Sequence, residues 1–355
     1  MRFARGLHLA YCAALPGRGT WTETFAALRA GTDAVRARVC ALNETLGLGL
    51  RLGDAAFNEL SKHRCLAEFR RWLTEARCYV FTVDALPETA RGSDWQRPER
   101  LAHLCRLLEL LGVLLPEGVD GSVSVRPGPG RECAESELQA IYANLIHLAV
   151  HAAEISGQTG RRVQLALEPE MFGLFENTAE TVRFLEPLVG AFPDQFGVCF
   201  DAGHFAFRFE EAVGVLAELE QAGVSVAKLR LGTAVRVRDG EAARQRLKAM
   251  GNGRPCPVAV RRGRGIPTFY RDLDAALSTP IGEGNEWRLQ MALEEPGDGM
   301  LDTTANELPG VLDWLAVDPD RCSHLEGGVP FERSTEQAAR EYQWAVGLLR
   351  ECGLA

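Results

Sequence analysis

Short apolar runs alternate along this chain with longer stretches in which apolar residues return every three or four positions. The runs fall at 7–13, 46–52, 78–84, 121–126, 163–168, 196–201, 226–231, 288–293 and 322–326, and each reads as a buried strand. Helical stripes lie between them at 54–77, 97–113, 135–156, 177–190, 209–222, 304–315 and 335–352. The first helix opens on Thr20-Trp-Thr-Glu23, a capping-box pattern, and carries Phe25, Leu28, Thr32, Val35 and Val39 at near-helical spacing. Strand and helix in regular alternation predict a parallel sheet covered by helices, and about eight such units close into a (β/α)8 TIM barrel. Nine runs are one too many for eight strands, and the run at 288 is taken as the extra one.

No internal linker divides the chain, so residues 1–355 are expected to form a single barrel domain. Two stretches break the rhythm. Residues 116–130 are rich in Gly and Pro around the fourth strand. Residues 236–271 carry ten Lys or Arg together with Gly251-Asn-Gly253 and Arg261-Arg-Gly-Arg-Gly265, which predicts a basic loop excursion on one face of the barrel.

Composition narrows the function classes. The chain is 46% hydrophobic, ample for a large core, and its net charge of −9 disfavours a nucleic-acid or anionic-membrane surface. No apolar run reaches the roughly 18 residues that cross a bilayer, and the first residues lack the apolar core of a secretion signal, so a cytoplasmic location without membrane insertion is expected. Ten scattered cysteines without a Cys-x-x-Cys pair signal neither a disulfide framework nor a zinc knuckle. A small-molecule substrate fits these totals, and nothing in them argues against a homo-oligomer.

In a parallel barrel the chemistry lies at the carboxyl ends of the strands. The acids there are Asp84, Glu168, Glu170, Asp201 and Glu326; His204 and His324 join them, with Arg51, Arg126, Lys228 and Arg230 as the cations. A carboxylate ending an apolar run, as Glu168 does, is costly unless it is paired or bound to a cation. Asp201 and His204, three residues apart across a Gly-containing turn, suit a shared ion, with a helix-capping or core histidine as the alternative for His204. The four cations suit an anionic ligand or structural pairing with the acids. His147 and His151 share a helix face without further metal context.

The stretches Leu165-Ala-Leu-Glu-Pro-Glu170, Glu176-Asn-Thr-Ala-Glu-Thr181 and Gly197-Val-Cys-Phe-Asp-Ala-Gly-His204 resemble the xylose-isomerase-like sugar-phosphate isomerase/epimerase barrels. They are closer still to the EboE group of metabolite-traffic proteins. Gly49-Leu-Arg-Leu52, Tyr79-Val-Phe-Thr82, Leu114-Leu-Pro-Glu-Gly-Val119, Phe269-Tyr-Arg-Asp-Leu273 and Cys322-Ser-His-Leu-Glu326 follow in the same order. The resemblance implies a TIM barrel with a divalent metal ion (Mn, Mg, Zn or Fe) on strand-end Glu, Asp and His residues. Carried over by position, Glu168, Asp201 and His204 match the metal-binding residues. The chain departs from the pattern at Arg230, where relatives carry His or Gln, at Gln290 and Ala292, where histidines are expected, and at Gly327-Gly328, where a second ligand acid is usual.

These readings lead to a metal-dependent isomerase or epimerase acting on a small polyhydroxylated or anionic metabolite in biosynthesis. Glu168, Asp201, His204 and Glu326 would hold the metal, with Glu168, His204 and Glu326 catalytic. Arg51, Asp84, Arg126, Lys228, Arg230 and His324 would bind the substrate. Two other readings stand beside it: a catalytically degenerate barrel that binds or hands on a metabolite, with Arg230 replacing the ion, and a metal-dependent lyase or hydrolase on the same site.

Overall fold

The computed structural model describes residues 1–3, 6–12, 19–39, 44–85, 95, 97–128, 130, 132–251, 256–282, 284–290, 301–327 and 334–355. Ala292 and Gly328 lie outside these residues. Eight parallel strands close into a barrel: β1 (His8–Cys12), β2 (Leu46–Arg51), β3 (Cys78–Asp84), β4 (Gly121–Val125), β5 (Val163–Leu167), β6 (Phe196–Asp201), β7 (Val226–Leu231) and, last in the chain, β13 (His324–Gly327), which sits between β7 and β1. The helices that cover them are α1 (Trp21–Val39), α2 (Asp54–Leu60), α3 (His63–Glu75), α4 (Pro98–Leu114), α5 (Glu135–Thr159), α6 (Thr178–Ala191), α7 (Ala202–Phe207) and α8 (Ala212–Gln221), with α11 (Leu308–Val317) and α12 (Thr335–Glu351) near the end of the chain. The expected stripe at 54–77 is two helices, separated at Ser61 and Lys62. The capping box of α1 forms as its residues suggest: Thr20 N–H donates to Glu23 Oε2 at 2.8 Å, and Glu23 N–H donates to Thr20 Oγ1 at 3.3 Å.

Strand alternation divides the side chains into two sets. Leu48, Leu50, Val123, Val125, Leu165, Leu167 and Leu229 belong to the large apolar core that they share with the helices. The opposite set points into the barrel and is small or polar, which suits a crowded, tapering interior. His324 on β13 reaches across to Ser122 Oγ on β4 at 3.1 Å, and Ser122 Oγ donates to Thr82 Oγ1 at 3.0 Å. Gly49 sits against Cys12 and Glu326, where an added Cβ would stand 3.3 Å from Glu326 Oε1.

Arg288 and Leu289, at the start of the extra ninth run, belong to a second sheet. After β7 the chain builds β8 (Val235–Arg238), α9 (Glu241–Gly251), β9 (Val258–Arg262), β10 (Thr268–Tyr270), α10 (Leu273–Leu277), β11 (Asn285–Leu289) and β12 (Leu301–Thr303). These strands pair antiparallel in the order β10-β9-β11-β8-β12, and Val235, Val237, Leu247, Val258, Trp287, Leu289 and Leu301 form their own apolar core. The described part of 236–271, expected as a loop excursion, is therefore folded. Its two edges are short strands and its arginines are largely engaged: Arg244 grips Asp239 at 2.6 Å and stacks 4.8 Å from the Trp287 ring. Arg288 ties the sheet to the barrel, donating to the Ala206 carbonyl on α7 and meeting Glu307 at 3.3 Å. Phe209, held at a left-handed φ of 63°, lies between Arg261 at 4.0 Å and Arg288 at 4.4 Å.

Candidate functional site

Register brings the strand ends together. Arg51 is the β-partner of Asp84, Asp201 of Arg230, and Arg230 of Glu326. All belong to the inward set at the carboxyl end, and the side chains of Arg51, Asp84, Arg230 and Glu326 meet in the mouth as one charge network. Arg230 is its centre. Its Nη1 lies 2.7 Å from Glu168 Oε1, its Nε donates to Glu326 Oε2 at 2.9 Å, and its Nη2 donates to Asp84 Oδ1 at 2.9 Å. Lys228, fully buried, donates to both Asp84 Oδ1 and Glu326 Oε1 at 2.8 Å. Arg51 Nε closes on Asp84 Oδ2 at 2.6 Å, and Arg126 Nη2 closes on Glu168 Oε1 at 2.6 Å.

Such a cluster is tolerable in the interior because each carboxylate meets more than one cation. Burial pushes the Glu168 carboxyl up, but the Arg126 and Arg230 guanidiniums outweigh it and hold the group at about 2. Asp84 is likewise held well below the usual carboxylate range by Arg230, Lys228 and Arg51 against the pull of burial. Burial and the neighbouring Asp84 both oppose ionisation of Glu326, yet Lys228 and Arg230 keep its pKa lowered. Lys228 is held protonated by Asp84 and Glu326 although burial opposes it. Lysine-type nucleophilic chemistry therefore has no free amine to draw on. The Cys12 thiol, 3.5 Å from Glu326 Oε1, is pushed up by burial and stays protonated.

The expected metal set does not assemble. Among the described residues no three His, Cys, Asp or Glu side chains stand where they would hold one ion. Glu168 and Glu326 point at guanidinium and ammonium groups instead. Asp201 caps α7: its Oδ1 accepts from Gly203 N–H at 2.9 Å and from His204 N–H at 3.4 Å. The His204 ring turns away from the acids, with Nε2 2.7 Å from the Glu176 carbonyl and Nδ1 3.4 Å from Gln290 Nε2. Burial lowers its pKa to about 4, so the ring is neutral and donates Nε2–H to that carbonyl. The arrangement does not fit a divalent cation on Glu168, Asp201, His204 and Glu326, because two of the four are spent on backbone contacts and two on fixed cations.

His324 is also displaced from its expected role. It shares the inward side with Glu326 but sits two residues deeper, roughly 6.5 Å down the strand, against His8 and Phe81. It cannot reach a ligand at the mouth. Arg51, Asp84, Lys228 and Arg230 do lie there but face one another. Arg126 and Glu170, 3.7 Å apart with side chains 35% and 48% exposed, are a cation and an acid of this group that reach solvent. One participant escaped the sequence reading: the Glu176 carbonyl, since no side-chain pattern marks a backbone acceptor. Asp201 is the remaining unusual group, with burial pushing its carboxyl up to about 6 while Arg230 pulls it back.

No family model matches the chain, and no curated protein matches it. Solved structures do. A xylose isomerase domain protein from Planctomyces limnophilus superposes with a TM-score of 0.57 at 13% identity, covering 97% of this chain and 96% of that one. An L-ribulose 3-epimerase gives 0.53 at 13% identity, over 98% of this chain and 94% of that one. The IOLI protein with a bound zinc atom gives 0.53 at 12% identity, over 97% and 99%. The closed parallel barrel, its helical cover and these whole-length superpositions show that the chain has the xylose-isomerase-like TIM-barrel fold.

Proposed function

We propose that the barrel mouth binds a small anionic or polyhydroxylated metabolite, and that the Arg230 guanidinium supplies the fixed positive charge that a metal ion supplies in barrels of this kind. The observation that carries this reading is the contact of one buried guanidinium with carboxylates on three different strands, Asp84, Glu168 and Glu326. A guanidinium spans several acids as a fork of donors, without the close, nearly tetrahedral approach a zinc ion demands. Arg126 is the recognition group, because part of its guanidinium reaches solvent while its Nη2 stays anchored on Glu168. The polyhydroxylated class is supported by superposition on an L-ribulose 3-epimerase and on a D-tagatose 3-epimerase-like protein.

A second reading is favoured by one observation: Asp201, with its carboxyl pushed up to about 6, would exchange protons near neutral pH, and the Glu170 carboxyl is also pushed up by burial. On that reading the chain is a metal-independent isomerase or epimerase, and Asp201 and Glu170 move a proton at the carbon next to a carbonyl. Titration calorimetry of the full chain with ketoses and sugar phosphates tests the binding proposal. Saturable binding weakened at least tenfold in Arg126→Gln is expected; absence of binding across the panel, or an Arg126→Gln variant that binds as tightly, overturns it. Deuterium uptake from heavy water into a bound sugar separates catalysis from binding, and its absence discards the second reading.

A further inference from the structure

We propose that the opposite, amino-terminal end of the barrel carries a second ligand site, for a small anion with a compact apolar body. A cavity of about 350 Å³ opens there beneath the starts of β1 and β3, lined by Arg2, His8, Leu73, Arg77, Tyr79 and Val119 among others. Pockets of roughly 300 Å³ and above hold small ligands, and this one accommodates a single ring with one charged group. Leu73, Pro116 and Val119 supply apolar wall; Arg2 and Arg77 supply positive charge, with Glu117 the single acid among the described lining residues.

Arg77 is the telling residue. It follows α3 in the left-handed region, φ 50°, where helix ends ordinarily place glycine because a side chain is strained there. An arginine stands at such a position in the cavity lining at the expense of local comfort. Arg2 lines the same cavity, its backbone bridged antiparallel to His8. The His8 ring is 4% exposed and stands 2.8 Å, by its Nδ1, from the Tyr79 hydroxyl. Burial first, and then the charge of Arg2, lower the His8 pKa to about 4, so the ring offers a neutral donor or acceptor. Two cations, one acid and an uncharged polar pair favour an anion over a cation or a neutral sugar.

This end is separated from the mouth by a packed layer. His8 lies against Phe81 at 5.4 Å and His324 at 6.4 Å, and His324 closes onto Ser122. The site is therefore independent of the mouth, and so is its test. Benzoate and phenyl phosphate are titrated calorimetrically into the full chain, its Arg77→Gly, Arg2→Gln and Arg126→Gln variants. Saturable binding of at least one anion is expected, weakened tenfold or more in Arg77→Gly and in Arg2→Gln and unchanged in Arg126→Gln. Arg77→Gly removes the strain with the guanidinium, so its thermal midpoint should equal or exceed that of the parent. Preference between the two probes separates a carboxylate from a phosphate site. Lack of saturation up to about 10 mM, wild-type affinity in Arg77→Gly, or loss of binding in Arg126→Gln overturns the proposal.

Discussion

Replacing Arg230 by methionine removes three charged contacts at once, to Glu168 at 2.7 Å and to Glu326 and Asp84 at 2.9 Å. None of the three acids is left bare. Lys228 still holds Asp84 and Glu326, Arg51 still holds Asp84, and Arg126 still holds Glu168. Removing one partner of a buried ion pair costs about 3–5 kcal/mol, and the surviving partners place Arg230→Met near the lower end. At roughly 2 °C per kcal/mol for a long chain, the thermal midpoint at pH 7 should fall by about 5–8 °C. The pH dependence has a definite sign. Glu168 is held at about 2, below its ordinary 4.5, so its pairing stabilises the fold above pH 4.5 and that contribution fades as pH falls toward 2. Without Arg230 the depression is smaller, and the gap between variant and parent should narrow through the same window. Denaturant unfolding at pH 7 and pH 3 measures it. Adding Glu168→Gln to Arg230→Met should cost less than the two changes separately, by more than about 0.5 kcal/mol. An Arg230→Met variant as stable as the parent at pH 7, or strictly additive substitutions, would refute the reasoning.

Asp201 gives the opposite pH sign, because its carboxyl is raised to about 6: its burial cost is absent below the unfolded value near 3.8 and grows as pH climbs through 6. Asp201→Asn, which keeps an oxygen for the Gly203 cap, should therefore gain more stability relative to the parent at pH 8 than at pH 4 in thermal unfolding. Gly49→Ala would press a methyl onto Cys12 Sγ and Glu326 Oε1, and a loss of about 1–3 kcal/mol in denaturant unfolding is expected. Arg288→Met should leave barrel unfolding little changed but speed proteolysis within 235–303, since Arg288 joins the small sheet to Ala206, Glu307 and Phe209.

Most of the barrel was legible in the sequence because its strands bury both faces. Runs such as 163–168 and 226–231 are nearly continuous in apolar or inward-packing residues, and each carries at or next to its end the charged residue, Glu168 or Arg230, that reaches the mouth. The small sheet was read as a loop for an equally physical reason. Its strands are three to five residues long, and β8 pairs with β11 and β12 across more than forty positions, a closure that local periodicity does not register. The site was legible as a set of residues and not as contacts. The spacing of Asp201 and His204 suits a metal pair and an N-cap alike, and the helix that starts at Ala202 decides for the cap. His324 and Glu326 share a side, yet only the barrel's depth tells that one lies a layer below the other. Arg230, a departure from the family pattern, proved the most informative position, because a cation among acids predicts their pairing wherever the fold lets them meet.

The central claim is that Arg230, and not a metal ion, satisfies Asp84, Glu168 and Glu326. It is tested most directly by equilibrium dialysis of the full chain against Mn²⁺, Zn²⁺ and Mg²⁺, followed by elemental analysis. The account predicts well under one equivalent of any of these ions and a thermal midpoint that none of them raises. One equivalent of metal retained by the parent chain and lost from Glu168→Gln would contradict it.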